Sequence, residues 1–266
     1  MLKINKNNND EYIKKIPKKS IELMKSEFRE ASKKWLNESN NFPEKMFIIF
    51  ERYCQKKQID DFVFFDVGAA EGCFSCTVIK NFKNPTVYAF EPDLPRFNVM
   101  VENVKEYLKL YSDKNNEKCS IQINQKLITR EIGTKKLRHF LDKKTGGSAG
   151  SSSTIIFDRP NRSYVDCNYE TLNLDFYVGK LEKVDAIKID VEGGELEVLR
   201  GSKRFFDLYN PLCFIELHGS KQNGSVTIKK VKDIFSTFEH KYKFTFIEEH
   251  PAPNLSYYII KQVDKK

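Results

Sequence analysis

One stretch of the sequence decides the fold: Phe62–Gly72, which reads FVFFDVGAAEG. Its first six residues form an apolar run interrupted only by Asp66, as is typical of a strand covered on both faces. The run passes directly into a loop of Gly and Ala. A strand followed by such a loop and then a helix is how doubly wound α/β folds receive nucleotide-like ligands. The stretch therefore predicts the first strand of a sheet and a ligand-binding loop after it.

Further apolar runs follow this stretch, and segments with helical spacing separate them. Strands that alternate with helices imply a parallel sheet. We therefore predict an α/β fold with a mostly parallel, doubly wound sheet. The predicted strands are Thr86–Phe90, Ser120–Ile128, Ala186–Asp190 and Cys213–Leu217, with a closing pair at Phe244–Ile247 and Tyr257–Ile260.

Residues 1–58 precede this alternation and contain two candidate amphipathic helices. The first runs from Ser20 to about Asn37, and the second begins near Pro43. The first residues are polar, so we expect them to be poorly ordered. We divide the chain into an N-terminal helical extension, 1–58, and a main domain, 59–266. The extension could also join two copies of the chain into a homodimer.

Residues 129–168 interrupt the alternation of strands and helices. They contain a run of Gly and Ser at 146–153, which reads GGSAGSSS. One interpretation of this run is a flexible linker. The other is a mobile loop at the mouth of the site, since long loops in compact domains are often functional.

The composition narrows the classes of partner. The chain has 266 residues and a net charge of +8. Lys greatly outnumbers Arg, and there is neither an Arg-rich tract nor zinc-finger spacing, so we interpret the charge as a solvated Lys surface and expect no nucleic-acid partner. An anionic acceptor, such as a nucleotide-linked molecule, would also suit the charge.

Several sequence features indicate the cellular compartment in which the protein is found. No apolar run approaches the roughly 20 residues that span a bilayer, and the first residues lack the apolar segment of a secretory signal. We therefore expect a cytoplasmic protein whose six Cys are free thiols. Cys73 and Cys76 form a single CxxC at a predicted helix start, where a redox or metal role is disfavoured.

The loop after the first strand carries acids where a pyrophosphate-binding loop would avoid them. Asp66 and Glu71 flank its small residues, and the pattern is neither GxGxxG nor GK[ST]. Acids suit a ligand with a positive end, such as a sulfonium with an α-ammonium group. Glu91 ends the next strand 23 positions after Gly68. At this spacing an acid typically accepts hydrogen bonds from ribose hydroxyls.

Four segments resemble motifs of the FkbM-type methyltransferases: FDVGAAEG at 65–72, AFEP at 89–92, IKIDVEG at 187–193 with ELEVLRG at 195–201, and FIELH at 214–218. The resemblance covers roughly residues 60–260. It implies a Rossmann-like sheet of the class I methyltransferase type, S-adenosylmethionine as the methyl donor, and transfer to a hydroxyl, often of a sugar.

The resemblance and the acid-bearing loop together predict an S-adenosylmethionine-dependent O-methyltransferase. Its acceptor would be a carbohydrate, a nucleotide-sugar or a similar small molecule. The alternatives are an NAD-dependent oxidoreductase and a non-catalytic nucleotide-binding protein on the same fold. The candidate cofactor-binding residues are Asp66, Gly68, Ala69, Glu71, Gly72, Glu91 and Asp190.

Polar side chains end two later strands, where ligands of open parallel sheets bind. Because side chains alternate along a strand, Lys188 shares a face with Asp190, and Glu216 shares one with His218. If the two strands are neighbours, these four groups converge as candidate catalytic residues. A purely structural ion-pair network, for example between Lys188 and Glu216, is the alternative.

Two mechanisms are open for this group of residues. His218 has a suitable ordinary pKa for a general base. Asp190, Glu216 and His218 could instead hold a divalent metal ion that activates the hydroxyl. Lys188 already supplies a positive charge beside the acids, which favours the metal-free base. The other histidines, His139, His240 and His250, have no comparable setting in the sequence.

Overall fold

The computed structural model describes residues 1–6, 18–37, 45–57, 59–111, 119–141, 148–154, 163–219, 226–249 and 255–263. Nowhere in these ranges is there a helix long and apolar enough to cross a membrane.

The strands are β1 (Leu2–Asn5), β2 (Val63–Val67), β3 (Thr86–Phe90), β4 (Ser120–Asn124), β5 (Leu127–Ile128), β6 (Gly133–Leu141), β7 (Ser148–Thr154), β8 (Tyr164–Leu172), β9 (Ala186–Ile189), β10 (Leu212–His218), β11 (Tyr242–Glu249) and β12 (Leu255–Gln262). The helices are α1 (Lys18–Asn37), α2 (Lys45–Lys56), α3 (Cys73–Asn81), α4 (Leu94–Tyr111), α5 (Glu195–Arg200), α6 (Lys203–Tyr209) and α7 (Ile228–Phe235), with a short 3-10 helix at Leu174–Tyr177.

The main sheet has eight strands in the order β1-β4-β3-β2-β9-β10-β12-β11. All neighbours from β1 to β10 are parallel, and β12 is antiparallel to both β10 and β11. The chain runs from β2 outward to β4 and then crosses to β9 on the other side of β2. This reversal creates a switch point between β2 and β9, where doubly wound folds bind ligands. The predicted fold class and the closing pair of strands are confirmed.

Helices and aromatic side chains cover both faces of this sheet. Phe64 and Phe65 point to opposite faces because successive side chains of a strand alternate. Phe64 packs on Phe50 of α2, with ring centroids 5.1 Å apart, and Phe65 packs on Phe205 of α6 at 5.0 Å. Both strand residues are fully buried. The continuous apolar run of β2 therefore follows from its place in the centre of the sheet.

The chain start differs from its prediction. Residues 2–5 form β1, which pairs in parallel with β4 at the edge of the main sheet, so the expectation of a poorly ordered start is wrong there. Asn5 Nδ2 donates a hydrogen bond to Asn124 Oδ1 at 2.6 Å. Pairing with an open sheet edge satisfies backbone groups that a polar sequence alone does not reveal.

Both helices of the N-terminal extension are confirmed and pack on the rest of the chain. Phe50 of α2 is part of the main core, and Met24 and Phe28 of α1 are buried in a separate apolar cluster with Leu94. The extension therefore contributes a strand and two helices to the main domain. The domain boundary at residue 58 and the homodimer stay predictions.

A second sheet has four strands in the order β5-β8-β6-β7. The predicted single strand Ser120–Ile128 is wrong, because the chain leaves the main sheet after Asn124 and β5 joins β8 of the small sheet. The interpretation of the Gly/Ser run as a linker or loop is also wrong for its described residues. Ser148–Thr154 forms β7, which pairs antiparallel with β6. Hydrogen bonding to β6 imposes an extended backbone that Gly and Ser do not signal.

All six cysteines are free and buried, as expected. Cys73 and Cys76 lie in α3 and contribute to the main core. The CxxC is therefore part of the packing between α3 and the sheet, and burial raises the pKa of Cys76 well above its ordinary value.

Candidate active site

The carboxyl ends of β2, β3 and β9 border a cleft that is open to solvent. Three of the predicted cofactor-binding residues line it: Gly68, Glu91 and Asp190. The other four lie in the same loop or strand but outside the lining: Asp66, Ala69, Glu71 and Gly72. The lining consists of Val67, Gly68, Ala70, Phe90, Glu91, Pro92, Asp93, Arg96, Lys126, Leu127, Ile128, Leu137, Asp190, Val191 and Glu192.

The loop after β2 needs glycine where it passes β9. Gly68 has φ of +75°, in the left-handed region that favours glycine, and a Cβ there would lie 1.8 Å from the carbonyl oxygen of Asp190. Gly72 has φ of +82°, and a Cβ there would lie 2.8 Å from Met100 Cγ. These two contacts explain why small residues occupy the loop at the switch point.

Glu91 is held by backbone donors on both of its carboxylate oxygens. The N–H of Ala70 donates to Oε2 at 2.9 Å, and the N–H of Asp93 donates to Oε1 at 2.8 Å. Burial raises the pKa of Glu91 to about 8, against the opposing attraction of Arg96. The sequence placed this acid correctly at the end of β3, on the wall of the cleft.

Asp66 and Glu71 make internal contacts behind the cleft. Asp66 Oδ2 accepts hydrogen bonds from the N–H of Ser75 at 3.1 Å and from its hydroxyl at 2.7 Å, which ties β2 to the start of α3. Burial raises the pKa of Asp66, and Lys188 opposes that shift. Glu71 pairs with Arg96 at 3.2 Å. Both acids therefore fix the shape of the loop rather than face the open cleft.

The two strands that carry the reaction residues are parallel neighbours, as the sequence analysis required. Ile189 of β9 lies opposite Ile215 of β10, so Asp190 and Glu216 follow side by side. Ligand atoms of Asp190, Glu216 and His218 all lie within 4.8 Å of one another. His218 Nε2 is 3.6 Å from Glu216 Oε1 and 3.9 Å from Asp190 Oδ1.

Lys188 lies beside this group and donates a hydrogen bond to the loop after β2. Its Nζ donates to the carbonyl oxygen of Gly68 at 2.5 Å, and it lies 3.3 Å from Asp190 Oδ2 and 3.7 Å from Asp66 Oδ1. Burial alone would lower the pKa of Lys188, but Asp190 and Asp66 hold it above its ordinary value. Burial alone would raise the pKa of Asp190, but Lys188 and His218 hold it below its ordinary value. Asp190 is therefore the main counter-ion of Lys188.

Sequence reasoning missed two acids that surround His218. Glu195 is fully buried, and its Oε1 lies 2.8 Å from His218 Nδ1 and accepts the N–H of Gly193 at 3.0 Å. Glu192 Oε2 lies 3.5 Å from His218 Nε2. Both acids belong to the DVEGGE segment, whose acid density was the available signal.

These acids change the pKa of the imidazole, and burial changes the pKa of Glu192. Burial alone would lower the pKa of His218, but Glu195, with Glu192 and Asp190, raises it well above its ordinary value. Burial raises the pKa of Glu192 to about 7, against the opposing attraction of His218. The group therefore concentrates negative charge around Nε2 of one imidazole.

The expectation that His139 has no comparable setting is wrong. His139 is fully buried, with Nδ1 at 3.3 Å from Asp93 Oδ1 and Nε2 at 3.0 Å from Tyr169 Oη. No local pattern in the sequence indicates this arrangement, because β6, β8 and the loop after β3 supply one residue each. His240 Nε2 contacts the carbonyl oxygen of Asp207 at 3.1 Å, and His250 lies outside the described residues.

One solved structure with a TM-score of 0.50 agrees with this architecture. An O-methyltransferase from Bacillus cereus in complex with SAH is 12% identical, with a TM-score of 0.50 over 96% of each chain. Methyltransferase FkbM from Methylobacillus flagellatus KT is 15% identical, with a TM-score of 0.46 over 76% of this chain and 44% of that chain. The present chain thus spans less than half of that protein's length. A precorrin-6y C5,15-methyltransferase from Geobacter metallireducens GS-15 is 13% identical, with a TM-score of 0.44 over 82% of this chain and 87% of that one.

The sequence comparison is more specific than these structural similarities. A search among curated proteins found no match. The family model described as "Methyltransferase FkbM domain" matches residues 66–246, about two thirds of the chain, and so includes the end of β2 and all of β3, β9 and β10. This match sets aside the oxidoreductase alternative. The chain belongs to the FkbM methyltransferase family and is an S-adenosylmethionine-dependent methyltransferase.

Proposed function

We propose that the protein transfers the methyl group of S-adenosylmethionine to a hydroxyl of a carbohydrate, a nucleotide-sugar or a similar small acceptor. One observation carries the proposal: Asp190, Glu216 and His218 group together beside a cleft that Gly68 and Glu91 also border. A neutral alcohol is a poor nucleophile, so its proton must be removed or its pKa lowered. The grouped carboxylates and imidazole supply that assistance.

The residues that line the cleft suit the cofactor in their chemistry. When bound, S-adenosylmethionine supplies an electrophilic methyl group on a positively charged sulfur. Glu91, fixed by two backbone donors, is the proposed acceptor for the ribose hydroxyls. Asp190 and Gly68 border the same space, and the acidic lining complements a cationic ligand. Asp66, Ala69, Glu71 and Gly72 contribute by shaping the loop, Asp66 through Ser75 and Lys188.

We further propose that Asp190, Glu216 and His218 bind a divalent cation. Glu195 accepts a hydrogen bond at His218 Nδ1, which leaves Nε2 directed at the two carboxylates. Metal-binding histidines usually have such a carboxylate partner on the other ring nitrogen. Hard oxygens with one imidazole suit a divalent ion that lowers the pKa of a bound hydroxyl.

The charge around Nε2 supports the cation over a metal-free base. Three carboxylates, those of Glu192, Glu216 and Asp190, lie 3.5, 3.6 and 3.9 Å from this atom. Lys188, whose charge favoured the base in the sequence analysis, contacts Asp190 from below and is shared with Asp66. These acids also hold the pKa of His218 well above its ordinary value, so that without a cation the ring keeps its own proton, which disfavours it as a plain base.

Chelation distinguishes the two mechanisms. If a divalent ion is bound, a chelator abolishes turnover and added Mg²⁺ or Mn²⁺ restores it. If His218 is a plain base, a chelator has little effect, whereas His218→Ala lowers the rate by about 10²–10⁴-fold. The metal content of the purified protein, measured before chelation, shows whether an ion is bound at the start of the experiment.

The acceptor proposal is tested by a screen of glycans and nucleotide-sugars with radiolabelled S-adenosylmethionine. We expect label on a hydroxyl oxygen of at least one acceptor, located by mass spectrometry and NMR of the product. The Asp190→Asn, Glu216→Gln, His218→Ala triple variant serves as the control and should transfer no label. Label on a nitrogen or a carbon would reject O-methylation while leaving the methyltransferase assignment intact.

A further inference from the structure

A series of polar contacts connects the small sheet to the acid on the cleft wall. Tyr169 Oη of β8 lies 3.0 Å from His139 Nε2 of β6. His139 Nδ1 lies 3.3 Å from Asp93 Oδ1. The backbone N–H of Asp93 donates to Glu91 Oε1 at 2.8 Å. Four residues from three separate parts of the chain are therefore joined in sequence, and the last of them faces the cleft.

The polar residues of this series are buried, which is energetically unfavourable where a buried polar atom lacks a hydrogen-bond partner. His139 is 0% exposed, Asp93 2% and Tyr169 3%. Within the described ranges, neither carboxylate oxygen of Asp93 has a hydrogen-bond partner, which is unfavourable for a buried carboxylate, and its contact with His139 at 3.3 Å is an ion-pair distance. An Asp just before a helix ordinarily caps the free N–H groups of the first turn. The Asp93 carboxylate precedes α4 but accepts no such hydrogen bond and turns to His139 instead. Stability alone does not account for this arrangement.

The backbone of Asp93 has a defined task at the cleft. Glu91 is fixed from two sides, by the N–H of Ala70 in the loop after β2 and by the N–H of Asp93. A shift of Asp93 would therefore rotate the Glu91 carboxylate away from its present direction. Because His139 contacts the side chain of Asp93, it restrains the position of that N–H.

We infer that His139, supported by Tyr169, is a positioning residue for cofactor binding. It acts through Asp93 on Glu91, so the inference rests on the proposed role of Glu91 in holding the ribose. Strands β6 and β8 of the small sheet then belong to the cofactor site, although they come from the region between residues 129 and 172. No acceptor and no metal ion is needed for this role.

The test measures binding of two ligands by calorimetry without acceptor: S-adenosylhomocysteine and its 2′,3′-dideoxyribose analogue. His139→Leu removes the contacts of the ring with Asp93 and Tyr169, His139→Asn retains a donor near the position of Nδ1, and Tyr169→Phe removes a single oxygen atom. Thr171→Val is the matched control for Tyr169→Phe. It also deletes one buried hydroxyl from β8, whose hydrogen bond goes to the carbonyl oxygen of Glu131 at 2.7 Å, away from the cleft.

We expect His139→Leu to weaken S-adenosylhomocysteine binding by about tenfold, since misplacing the Glu91 carboxyl group forfeits a hydrogen bond to the ribose. Its affinity for the dideoxy analogue should equal that of the unmodified protein. His139→Asn should recover much of the loss, and Tyr169→Phe should show a smaller but equally ribose-dependent loss. Thr171→Val should leave both affinities unchanged. If His139→Leu does not fold, Tyr169→Phe against Thr171→Val still decides the question.

Two outcomes would overturn the inference. One is an equal loss of affinity for both ligands in the His139 and Tyr169 variants, which indicates general loosening of the fold. The other is no loss for either ligand. Glu91→Gln, measured in parallel, separates this result from a failure of the cofactor proposal. If Glu91→Gln loses ribose-dependent affinity and the His139 variants do not, only the positioning role is rejected. If Glu91→Gln shows no such loss, the ribose role of Glu91 is rejected and the positioning role with it.

Discussion

Gly68 is where the loop after β2 passes closest to β9. Its φ of +75° already favours glycine, and a Cβ would lie 1.8 Å from the carbonyl oxygen of Asp190. Gly179 has the same φ of +75° but nothing within 4 Å of its Cβ position. Alanine at Gly179 therefore measures the cost of backbone strain alone, without the close approach that Gly68 makes. We expect Gly179→Ala to lower the unfolding free energy by about 1–2 kcal/mol. Gly68→Ala should cost clearly more, as measured by urea denaturation, and equal losses would contradict this reading of the loop.

Glu91 is the single residue on which the cofactor proposal depends most. Removing its carboxylate leaves ribose hydroxyls and two backbone donors without a partner. We expect Glu91→Ala to weaken S-adenosylmethionine binding by about 1–3 kcal/mol in calorimetry. Glu102→Gln, on the exposed side of α4, should leave the affinity unchanged. Unchanged affinity in Glu91→Ala would reject the assignment.

The same residue gives a pH dependence of stability in the unliganded protein. Burial raises the pKa of Glu91 from its ordinary 4.5 to about 8 in the fold. Between these values the folded state keeps a proton that the unfolded state has released, so the unfolding free energy falls as pH rises. Glu91→Gln lacks this contribution. Between pH 5 and pH 8 the unmodified protein should therefore lose more stability than the variant in denaturant titrations, whereas parallel profiles would contradict the shift.

At the scale of elements, α1 and α2 are attached to the main domain by different forces. Arg29 of α1 makes a bidentate pair with Glu102 of α4, at 2.6 and 2.8 Å, but both side chains are about half exposed. Such a pair contributes about 0.2–1 kcal/mol and is screened by salt. Phe50 of α2 is fully buried among Phe64, Phe74 and Phe214.

We therefore expect Glu102→Gln to cost less than about 1 kcal/mol, with the cost vanishing at high salt. Phe50→Ala should cost about 3–5 kcal/mol at any salt concentration. Denaturant titrations of both variants at low and high salt check this difference. A large, salt-independent cost for Glu102→Gln would mean that the pair is more important than its exposure indicates.

Elements with strong local patterns were predictable from the sequence. The apolar runs of β2, β3, β9 and β10 identified central strands, because burial on both faces leaves no polar alternation. β1 and β7 were not predictable, since a short polar segment and a Gly/Ser run become strands only through pairing with β4 and β6. The small sheet as a whole depends on such pairings between distant segments.

The residues of the candidate site also fall into those that could be predicted from the sequence and those that could not. Asp190, Glu216 and His218 were found because they end strands of one parallel sheet. The partner that orients His218 comes from another element, because Glu195 lies 23 positions before it. His139 likewise meets Tyr169, which lies 30 positions later on another strand. No local pattern records such contacts. Only the fold brings them together.

At the scale of the whole molecule, the net positive charge of the chain contrasts with the carboxyl groups that line the cleft. The chain carries a net charge of +8, yet the lining of the cleft includes four acids, Glu91, Asp93, Asp190 and Glu192, against Arg96 and Lys126. Arg96 and Lys126 are themselves paired, with Glu71 and Glu170. We therefore expect neutral glycans to be better acceptors than nucleotide-sugars, with a lower KM at equal kcat. The reverse order would show that the Lys surface selects the acceptor.

The central claim is that the group at the ends of β9 and β10 carries the transfer while the cleft binds the cofactor separately. The most direct measurement combines turnover with S-adenosylhomocysteine affinity in the Glu216→Gln, His218→Ala double variant, since neither residue lines the cleft. We predict that turnover falls by at least about 10²-fold while the affinity stays within twofold of the unmodified protein. Full turnover in the double variant would contradict the account and move the chemistry elsewhere in the cleft.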